Sequence, residues 1–286
     1  MRFLDIFLNN TMETTKIYLK NLIKQAVSEN KLFKRNLAKE YLQILVLDFI
    51  CSHQKYNQLV FYGGSCLSHC FGLPRLSEDL DFVDLKKEVN LKILAEDLEV
   101  FFKKNTDLVL KTNCQKFRIY LKFPILWELG LSEKGETNLL ILKIEIFTKF
   151  NFCKNYKTEI IPLFKFNKSI LIRTFDLPTL MATKLRAVLY RKWEKTDKKG
   201  RIFVKAKGRD YFDLMWYLNK GIKPNMKCIE LKSEKGLKEK LLNLVDKIDP
   251  KSIQFDLEPL MENGNFAENL SKNIKEILNK EIKAKF

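Results

Sequence analysis

The stretch FYGGSCLSHCFGLPRLSEDLDF, residues 61–82, decides the fold. The apolar run LVFYGG at 59–64 predicts a short strand that stops at a tight turn of two glycines. The segment SCLSHCFGL is compatible with a helix that ends near Gly72, and LDFV at 80–83 predicts a second strand. A strand, a glycine turn, a helix and a strand in this order favour an α/β architecture.

The turn itself suits phosphate binding. Gly63, Gly64 and Ser65 stand where the strand passes into the helix. Backbone N–H groups at such a turn and helix N-terminus can hold phosphate oxygens, and the hydroxyl of Ser65 can add to them. Because most Gly-Gly-Ser tripeptides are ordinary turns, the hypothesis depends on the acidic residues that follow.

Two aspartates begin the second strand, with thirteen residues between Ser65 and Asp79. Alternation along a strand places Asp79 and Asp81 on one face. Two neighbouring carboxylates repel each other unless a cation lies between them, so the pair suits a divalent metal. A helical turn followed by salt-bridging acids is the structural alternative.

A third carboxylate would complete a metal site. Glu145 lies inside the apolar run LLILKIEIF, where a charge is costly unless it is paired or bound to a metal. Lys143 shares its face by alternation, so a Lys–Glu pair is the alternative, and Asp84 is a weaker candidate for the third ligand.

Further elements extend over the rest of the chain. Amphipathic helices are predicted at 13–27 and 36–53, with Asn36 as the cap of the second. Another helix is predicted at 88–104, strands between 107 and 173, and helices at 178–192, 208–221, 234–248 and 266–283. The character changes at Asp176, which predicts an α/β domain at 1–175 and a mostly helical domain at 176–286.

The predicted helices after Asp176 carry a second set of charged residues. Lys184 and Arg191, at i and i+7, share a face and suit triphosphate oxygens. Asp210 and Asp213 are neighbours on the next helix, and Asp210 is the better candidate to orient Lys184 or to act as a general base. An interhelical salt-bridge network of the same residues is the alternative.

Composition restricts the class of protein. The chain has 286 residues, 46% of them hydrophobic, which excludes disorder, and a formal charge of +17. The charge comes from 43 lysines and nine arginines, and it fits either a polyanionic partner or an AT-rich genome. No membrane span and no signal peptide are apparent, so a soluble, cytoplasmic protein is expected. The six cysteines show no metal-ligand spacing and are expected as reduced thiols, and His69 as a core histidine.

The motifs together resemble a known family. A glycine turn, a Dx[DE] pair and a later acid resemble the DNA polymerase β-like nucleotidyltransferase superfamily. The run GLPRLSEDLD, the preceding LAKEYLQILVL, and KLRAVLYRK followed by KGRDYFDLMWYL resemble the AbiEii/AbiGii toxin family. The resemblance covers about a quarter of the chain, and Arg75 and Ser77 match positions of its first motif.

The resemblance implies a fold and a function. The fold would be a nucleotidyltransferase core with a mixed β-sheet flanked by helices, followed by a mostly helical part. The catalytic residues would be Asp79, Asp81, Glu145, Lys184 and Asp210, with Mg²⁺ on the first three. The NTP would be bound by Gly63, Gly64, Ser65, Arg75, Ser77 and Arg191.

The implied enzyme transfers NMP from an NTP to RNA, with the tRNA 3′ end as the expected acceptor. It would act as the toxin of a type IV toxin–antitoxin or abortive phage infection system, in antiviral defence, with a separately encoded antitoxin as its partner. A protein or small-molecule acceptor is the alternative, as is an inactive nucleic-acid-binding member of the fold.

Overall fold

The structure is a computed structural model. It describes residues 14–133, 135–191, 195–196, 202–204, 207–231 and 233–286, with the backbone alone for 195–196 and 202–204. The N-terminal stretch MRFLDIFLNN, on which the expectation about a signal peptide rests, lies outside the described residues. Most of the lysine-rich insert after Arg191 lies outside them too.

The first part of the chain contributes α1 Thr15–Gln25, α2 Lys31–Ser52, β1 Val60–Tyr62, α3 Gly63–Phe71, β2 Asp79–Val83, α4 Leu91–Asn105, β3 Lys111–Gln115, β4 Arg118–Pro124, β5 Leu139–Phe147, β6 Thr158–Lys165 and β7 Lys168–Phe175. The second part contributes α5 Leu177–Tyr190, β8 Lys195–Thr196, β9 Ile202–Val204, α6 Gly208–Asn219, α7 Glu234–Asp246, α8 Pro250–Leu257 and α9 Gly264–Lys285, with short 3₁₀ turns at Met226–Cys228 and Glu258–Leu260.

Seven of the described strands form one mixed sheet in the order β3-β4-β5-β2-β1-β7-β6. The pairs β2–β5 and β1–β7 are parallel, and the other pairs are antiparallel. The strands β1 and β2, which flank the glycine turn, therefore lie at the centre of the sheet. The predicted mixed sheet flanked by helices is confirmed.

The side chains of β5 alternate between the hydrophobic core on one face of the sheet and charged residues on the other. Leu140, Leu142 and Ile144 are at most 2% exposed and pack into the core. Lys143 and Glu145 point to the opposite face, because successive side chains of a strand alternate. The face of β5 that does not pack into the core thus carries the charges.

The long helix α2 packs against β5 and β7 and begins earlier than predicted. Asn30 caps it by accepting from the backbone N–H groups of Leu32 and Phe33. The prediction that Asn36 caps the helix is wrong: Asn36 is 4% exposed within the helix, and its amide donates to the Pro259 carbonyl at 2.9 Å. An asparagine can cap a helix or make a buried hydrogen bond to another element, and residue type alone does not distinguish the two roles.

The cysteine prediction is wrong for one pair. Cys153, in the loop after β5, and Cys228 are joined by a disulfide across 75 residues of sequence, with Cα atoms 4.2 Å apart. The fold brings together two positions whose spacing in the sequence gives no sign of pairing. His69 is buried as predicted, with Nε2 2.9 Å from Gln43 Oε1, and burial lowers its pKa to about 3.

The boundary predicted at 175/176 falls where β7 ends and α5 begins, with Asp176 as the cap of α5. The helix α6 packs against α5, α8 and α9. The division into two domains stays a prediction. No helix in the described part of the chain is long and apolar enough to cross a membrane.

Candidate active site

A cavity of about 390 Å³ opens where the glycine turn, β2, β5 and the helices α5 and α6 meet. Gly63 and Gly64 line it at the N-terminus of α3, which favours an anion there. Gly63 has φ +81°, and a Cβ on it would overlap Asp81 Oδ2. Only glycine therefore allows the turn to approach the aspartate so closely.

Two residues predicted to bind the nucleotide lie behind the turn. The hydroxyl of Ser65, which is fully buried, donates to the Asp79 carbonyl and is not part of the cavity lining. Arg75 lines the cavity, but its Nε and Nη2 each donate to Asp213 at 2.7 Å. The hydrogen bond of Ser65 holds the turn against β2, and the guanidinium group of Arg75 lies next to Gly64. Direct contact of either residue with a nucleotide stays a prediction.

Ser77 does line the cavity, beside Gly64. A Cβ on Gly64 would lie 3.0 Å from Ser77 Oγ and 2.8 Å from Arg75 Nη2. The second glycine is thus also required by a close approach, this time to polar side chains. The backbone carbonyl of Ser77 accepts from Gln43 Nε2 at 2.8 Å, which fixes this stretch against α2.

The three predicted metal ligands come together on adjacent strands. Asp81 on β2 pairs directly with Glu145 on β5, and Asp79 pairs with Lys143. All three carboxylates line the cavity. The parallel register of two central strands therefore assembles an acidic half of the site, consisting of Asp79, Asp81 and Glu145.

Two cations meet this acidic half. Lys143 Nζ lies 2.8 Å from Asp79 Oδ2 and 3.3 Å from Glu145 Oε1, and Arg118 Nε lies 2.7 Å from Glu145 Oε1. The Lys143–Glu145 pair that the sequence left as an alternative is therefore present. It occurs together with the convergence of the carboxylates.

Among the described residues, no cation pairs with Asp81, which lies beside the other two acids. Burial, together with the charges of Asp79 and Glu145, raises the pKa of Asp81 to about 7. A carboxyl group held against neighbouring carboxylates in this way favours any cation that reaches it. Asp84, the weaker candidate for the third ligand, is fully buried and accepts from the backbone N–H groups of Lys87 and Val89, so it shapes a turn.

The donor chemistry of the acidic half fits a hard divalent cation such as Mg²⁺, because the carboxylates offer only oxygen ligands. Asp81 is the member with surplus negative charge. Among the described residues, however, no group of three His, Cys, Asp or Glu side chains forms a complete ligand set in this arrangement. The ammonium group of Lys143 bridges two of the three carboxylates.

The opposite wall of the cavity is a basic half that consists of Lys184, Arg191 and Lys207. Lys184 Nζ lies 2.8 Å from Asp210 Oδ1 and 2.7 Å from Asp213 Oδ2, and Arg191 Nη1 lies 3.1 Å from Asp210 Oδ2. The shared face predicted for Lys184 and Arg191 is present, and the predicted salt-bridge network with Asp210 and Asp213 is present with it.

The pKa values separate two roles that the sequence left open for Asp210. Burial alone would raise its pKa, but Lys184 and Arg191 lower it to about 2. The pKa of Lys184 is raised by Asp210 and Asp213 despite its burial. A carboxylate with so low a pKa is a poor proton acceptor, so this geometry favours an orienting role for Asp210.

Sequence reasoning missed Lys207 and Arg118 as lining residues. Burial and the nearby Arg209 lower the pKa of Lys207 to about 8, which is typical of a cation crowded by other cations. Lys207 precedes Asp210 by three residues at the start of α6, and this spacing was a signal that could have identified it as a lining residue. Arg118 is opposite Glu145 across the β4–β5 pair, so finding it requires the strand register.

Two other arginines have structural partners. Arg186 on α5 lies 2.8 Å from Glu230 and stacks on Phe152, and it is not part of the cavity lining. Arg209 lines the cavity and is paired with Glu78. The cations that remain open to a ligand are thus concentrated near Arg191 and Lys207.

Comparison with the solved structure of a toxin supports the fold. The nucleotidyltransferase toxin MenT4 of Mycobacterium tuberculosis H37Rv aligns over 92% of this chain and 88% of its own, with a TM-score of 0.54 and 12% sequence identity. JHP933 from Helicobacter pylori aligns over 87% and 94%, with a TM-score of 0.45 and 17% identity. A search of curated protein sequences finds no match.

Comparison with family models identifies the family. The model described as the nucleotidyl transferase AbiEii toxin of type IV toxin–antitoxin systems matches residues 46–284. The match includes the glycine turn, both aspartates, Glu145, and the charged residues of α5 and α6. The resemblance inferred from the motifs is confirmed. The chain therefore belongs to the AbiEii family of nucleotidyltransferase toxins.

Proposed function

We propose that this nucleotidyltransferase uses Mg²⁺ to transfer NMP from an NTP to an RNA hydroxyl, with the 3′ end of tRNA as the acceptor. It would act in the cytoplasm as the toxin of a type IV toxin–antitoxin pair, in defence by abortive phage infection, with an antitoxin as its partner. The observation that carries the proposal is the cavity, in which a glycine turn and the basic half meet the acidic half.

The basic half suits the triphosphate. Arg191, whose side chain is 41% exposed, and Lys207 are open to phosphate oxygens, while Lys184 is held by two aspartates. The N-terminus of α3 adds backbone donors at Gly63 and Gly64. An NTP bound in this way would direct its α-phosphate toward the acidic half.

The acidic half suits the metal. When bound by Asp79, Asp81 and Glu145, Mg²⁺ would neutralise charge on the α-phosphate and activate the acceptor hydroxyl. Lys143 would hold Asp79 and Glu145 in place, and Arg118 would hold Glu145 from the neighbouring strand. The acceptor hydroxyl would lose its proton to solvent water, its oxygen would form a bond to the α-phosphorus, and the bond from the α-phosphorus to the leaving pyrophosphate would break.

The net charge of the chain supports an RNA acceptor. The formal charge of +17 favours a polyanion over a small molecule. Lys184 and Arg191 use only a small part of it. The remaining lysines would interact with backbone phosphates if the acceptor is RNA.

A transfer assay tests the proposal. The protein is incubated with each labelled NTP, Mg²⁺ and total tRNA, beside an Asp79→Ala/Asp81→Ala variant. Glu88→Gln, which removes an exposed carboxylate in the loop after β2, is the matched control. We expect label in the tRNA with the wild type and the control, no label with the double variant, and no label when Mg²⁺ is chelated.

Other outcomes discriminate the alternatives. Label in protein, identified by mass spectrometry of expressing cells, would favour a protein hydroxyl as acceptor. Absence of transfer with every NTP, or undiminished transfer by the double variant, would overturn the proposal. Growth arrest on expression, relieved by the product of a neighbouring antitoxin gene, tests the role as a toxin.

A further inference from the structure

A second cavity of about 600 Å³ adjoins the catalytic cavity. The two share Glu78 and Arg209, whose ion pair forms the wall between them. The backbone N–H of Arg209 also donates to Asp256 at 3.0 Å, which anchors this wall to α8. The second cavity therefore lies directly beside the catalytic one, with the Glu78–Arg209 pair common to both linings.

The two cavities have one continuous floor. Leu139 and Ile141 line the second cavity, while Lys143 and Glu145 line the catalytic one. All four are alternate residues of β5 and lie on the same face of the strand. At about 3.4 Å per residue, Ile141 and Lys143 are about 7 Å apart along this floor.

The second cavity presents apolar surface that is open to solvent. The side chain of Ile141 is 38% exposed and that of Phe255 is 50% exposed. Leu126, Pro259 and Leu260 continue this lining. An exposed aromatic ring beside aliphatic groups is a surface on which a nucleobase stacks, whatever its identity.

A cation without a partner lies in the same cavity. Lys39 on α2 is half-buried, and within the described part of the chain its ammonium group has no hydrogen-bond or ion-pair partner. The other two cations of the lining are engaged, Arg35 with the Leu131 carbonyl and Arg209 with Glu78. Lys39 is thus the lining cation that an incoming anion can pair with.

The charges around Lys39 place it at the acidic end of the site. It interacts electrostatically with the acids Glu78 and Asp79 and with the cations Lys143 and Arg209. An NTP carries all its phosphates at one end, and the basic half accounts for them. A separate cation beyond the carboxylates calls for a separate phosphate, which an RNA chain supplies at each nucleotide.

We propose that the second cavity is the acceptor subsite and holds the terminal nucleotide of the RNA. Its base would lie against Ile141 and Phe255, its 5′-phosphate on Lys39, and its terminal hydroxyl at the acidic half. This inference rests on the proposed function, because it assigns the acceptor of the same reaction.

Steady-state kinetics on the full-length protein test the subsite, with a single-stranded RNA oligonucleotide as acceptor. The variants are Lys39→Ala and Ile141→Glu. Lys34→Ala, on the same helix but paired with Glu29, and Ile160→Glu, an exposed position on β6, are the matched controls. We expect both variants to raise KM for RNA about tenfold while KM for the NTP stays unchanged. The controls should behave as the wild type.

An oligonucleotide without its terminal base sharpens the test. It should raise KM in the wild type, and Ile141→Glu should then add little. Variants that match their controls, or that raise KM for the NTP instead, would overturn the subsite even though RNA is extended.

If the wild type extends no RNA, fluorescence anisotropy with the same labelled oligonucleotide separates the two proposals. Binding that Lys39→Ala weakens about tenfold supports the subsite and leaves the proposed reaction in error. An absence of binding, or binding that Lys39→Ala leaves unchanged, overturns the subsite as well.

Discussion

The two halves of the catalytic cavity treat their carboxylates in opposite ways. In the acidic half, Asp81 has no paired cation within the described part of the chain and lies beside two other acids, and its pKa is raised to about 7 by burial and by their charges. In the basic half, Asp210 and Asp213 are each bound by two cations, which lower both pKa values. The carboxylates of the acidic half therefore carry unbalanced charge, while those of the basic half are neutralised.

The difference follows from how each half is built. Parallel pairing of β2 and β5 puts Asp81 opposite Glu145, so the sheet backbone holds two acids together whatever their repulsion. On α5 and α6 the side chains themselves make the connection, with Lys184 between Asp210 and Asp213 and Arg75 behind Asp213. Strand register can impose an unfavourable cluster, whereas the contact between the helices depends on favourable pairs.

The two halves of the cavity differ in how their charged residues contribute to the stability of the fold. Buried ion pairs are strongly destabilising when one partner is removed, because an unpaired charge remains. Removing a charge from a repulsive cluster has the opposite effect on the fold. We expect the acidic half to be needed for catalysis alone and the basic half to be needed for both.

The largest expected effect is on transfer by Asp81→Asn. The change removes a proposed metal ligand, so transfer should fall about 10³-fold, equivalent to about 4 kcal/mol. The midpoint of thermal unfolding in the metal-free protein should stay the same or rise, because the amide relieves repulsion from Asp79 and Glu145. Initial rates and thermal melts of the same preparation measure both quantities. A variant that loses stability and activity together would contradict the comparison.

The second effect is on stability through Asp213. Its side chain is fully buried between Arg75 and Lys184, so Asp213→Ala leaves the buried guanidinium of Arg75 without its carboxylate and leaves Lys184 with Asp210 alone. The free energy of unfolding should fall by about 3 kcal/mol, measured by urea denaturation. Asp246→Ala, an exposed carboxylate at the end of α7, is the control and should change it little. Equal stability of the two variants would show that the network contributes nothing to folding.

Much of the fold could be predicted from the sequence because hydrophobic periodicity is local. The strands β1, β2 and β5 and the helix α5 lie where the patterns put them. The start of α2 was misplaced, since Asn30 and Asn36 are equally suited to a cap by residue type. The short helix α8 was not predicted, although Asp249 caps it and Pro250 begins it, a usual start signal.

The site was predictable only as far as residue type and spacing allow. The glycine turn and Asp79-x-Asp81 belong to one short stretch of sequence, residues 63–81, so their proximity follows from local structure. Arg118 lines the cavity because of the register between β4 and β5, and no local pattern in the sequence specifies that register. The hydroxyl of Ser65 was expected at the phosphate but donates to the Asp79 carbonyl, because the turn lies closer to β2 than a motif can indicate.

A smaller effect is expected from Arg191→Ala, which tests whether the basic half binds the NTP. Arg191 is the half-exposed member of the network and shares Asp210 with Lys184. Loss of its charged hydrogen bonds should raise KM for the NTP about tenfold with little change in kcat. Arg186→Ala removes an arginine of the same helix that pairs with Glu230 outside the cavity. If both variants raise KM equally, Arg191 has no special contact with the nucleotide.

The smallest effect is a pH dependence of opposite sign in the two halves. The pKa of Asp81 is about 7 in the folded protein against an ordinary 3.8, so the folded state binds more protons between these values. Its contribution to stability is complete below pH 3.8 and is lost as the pH rises through 7. For Asp210, with a folded pKa of about 2, stability is present above 3.8 and lost as the pH falls toward 2. The interval from pH 5 to 7 therefore separates the contribution of Asp81 from that of Asp210.

Melting curves of metal-free wild type and Asp81→Asn measure this difference between pH 5 and 7. Because Asp81 is partly open to solvent, screening reduces the loss to roughly 1 kcal/mol, or roughly 3 °C, over that range in the wild type. His69, whose pKa is lowered to about 3 by burial, gives a slope of the opposite sign below its ordinary value of 6.5. Subtracting the curve of the variant removes this contribution, since both proteins contain His69. Parallel curves would mean that Asp81 is as well neutralised as Asp210 and that the two halves do not differ in charge balance.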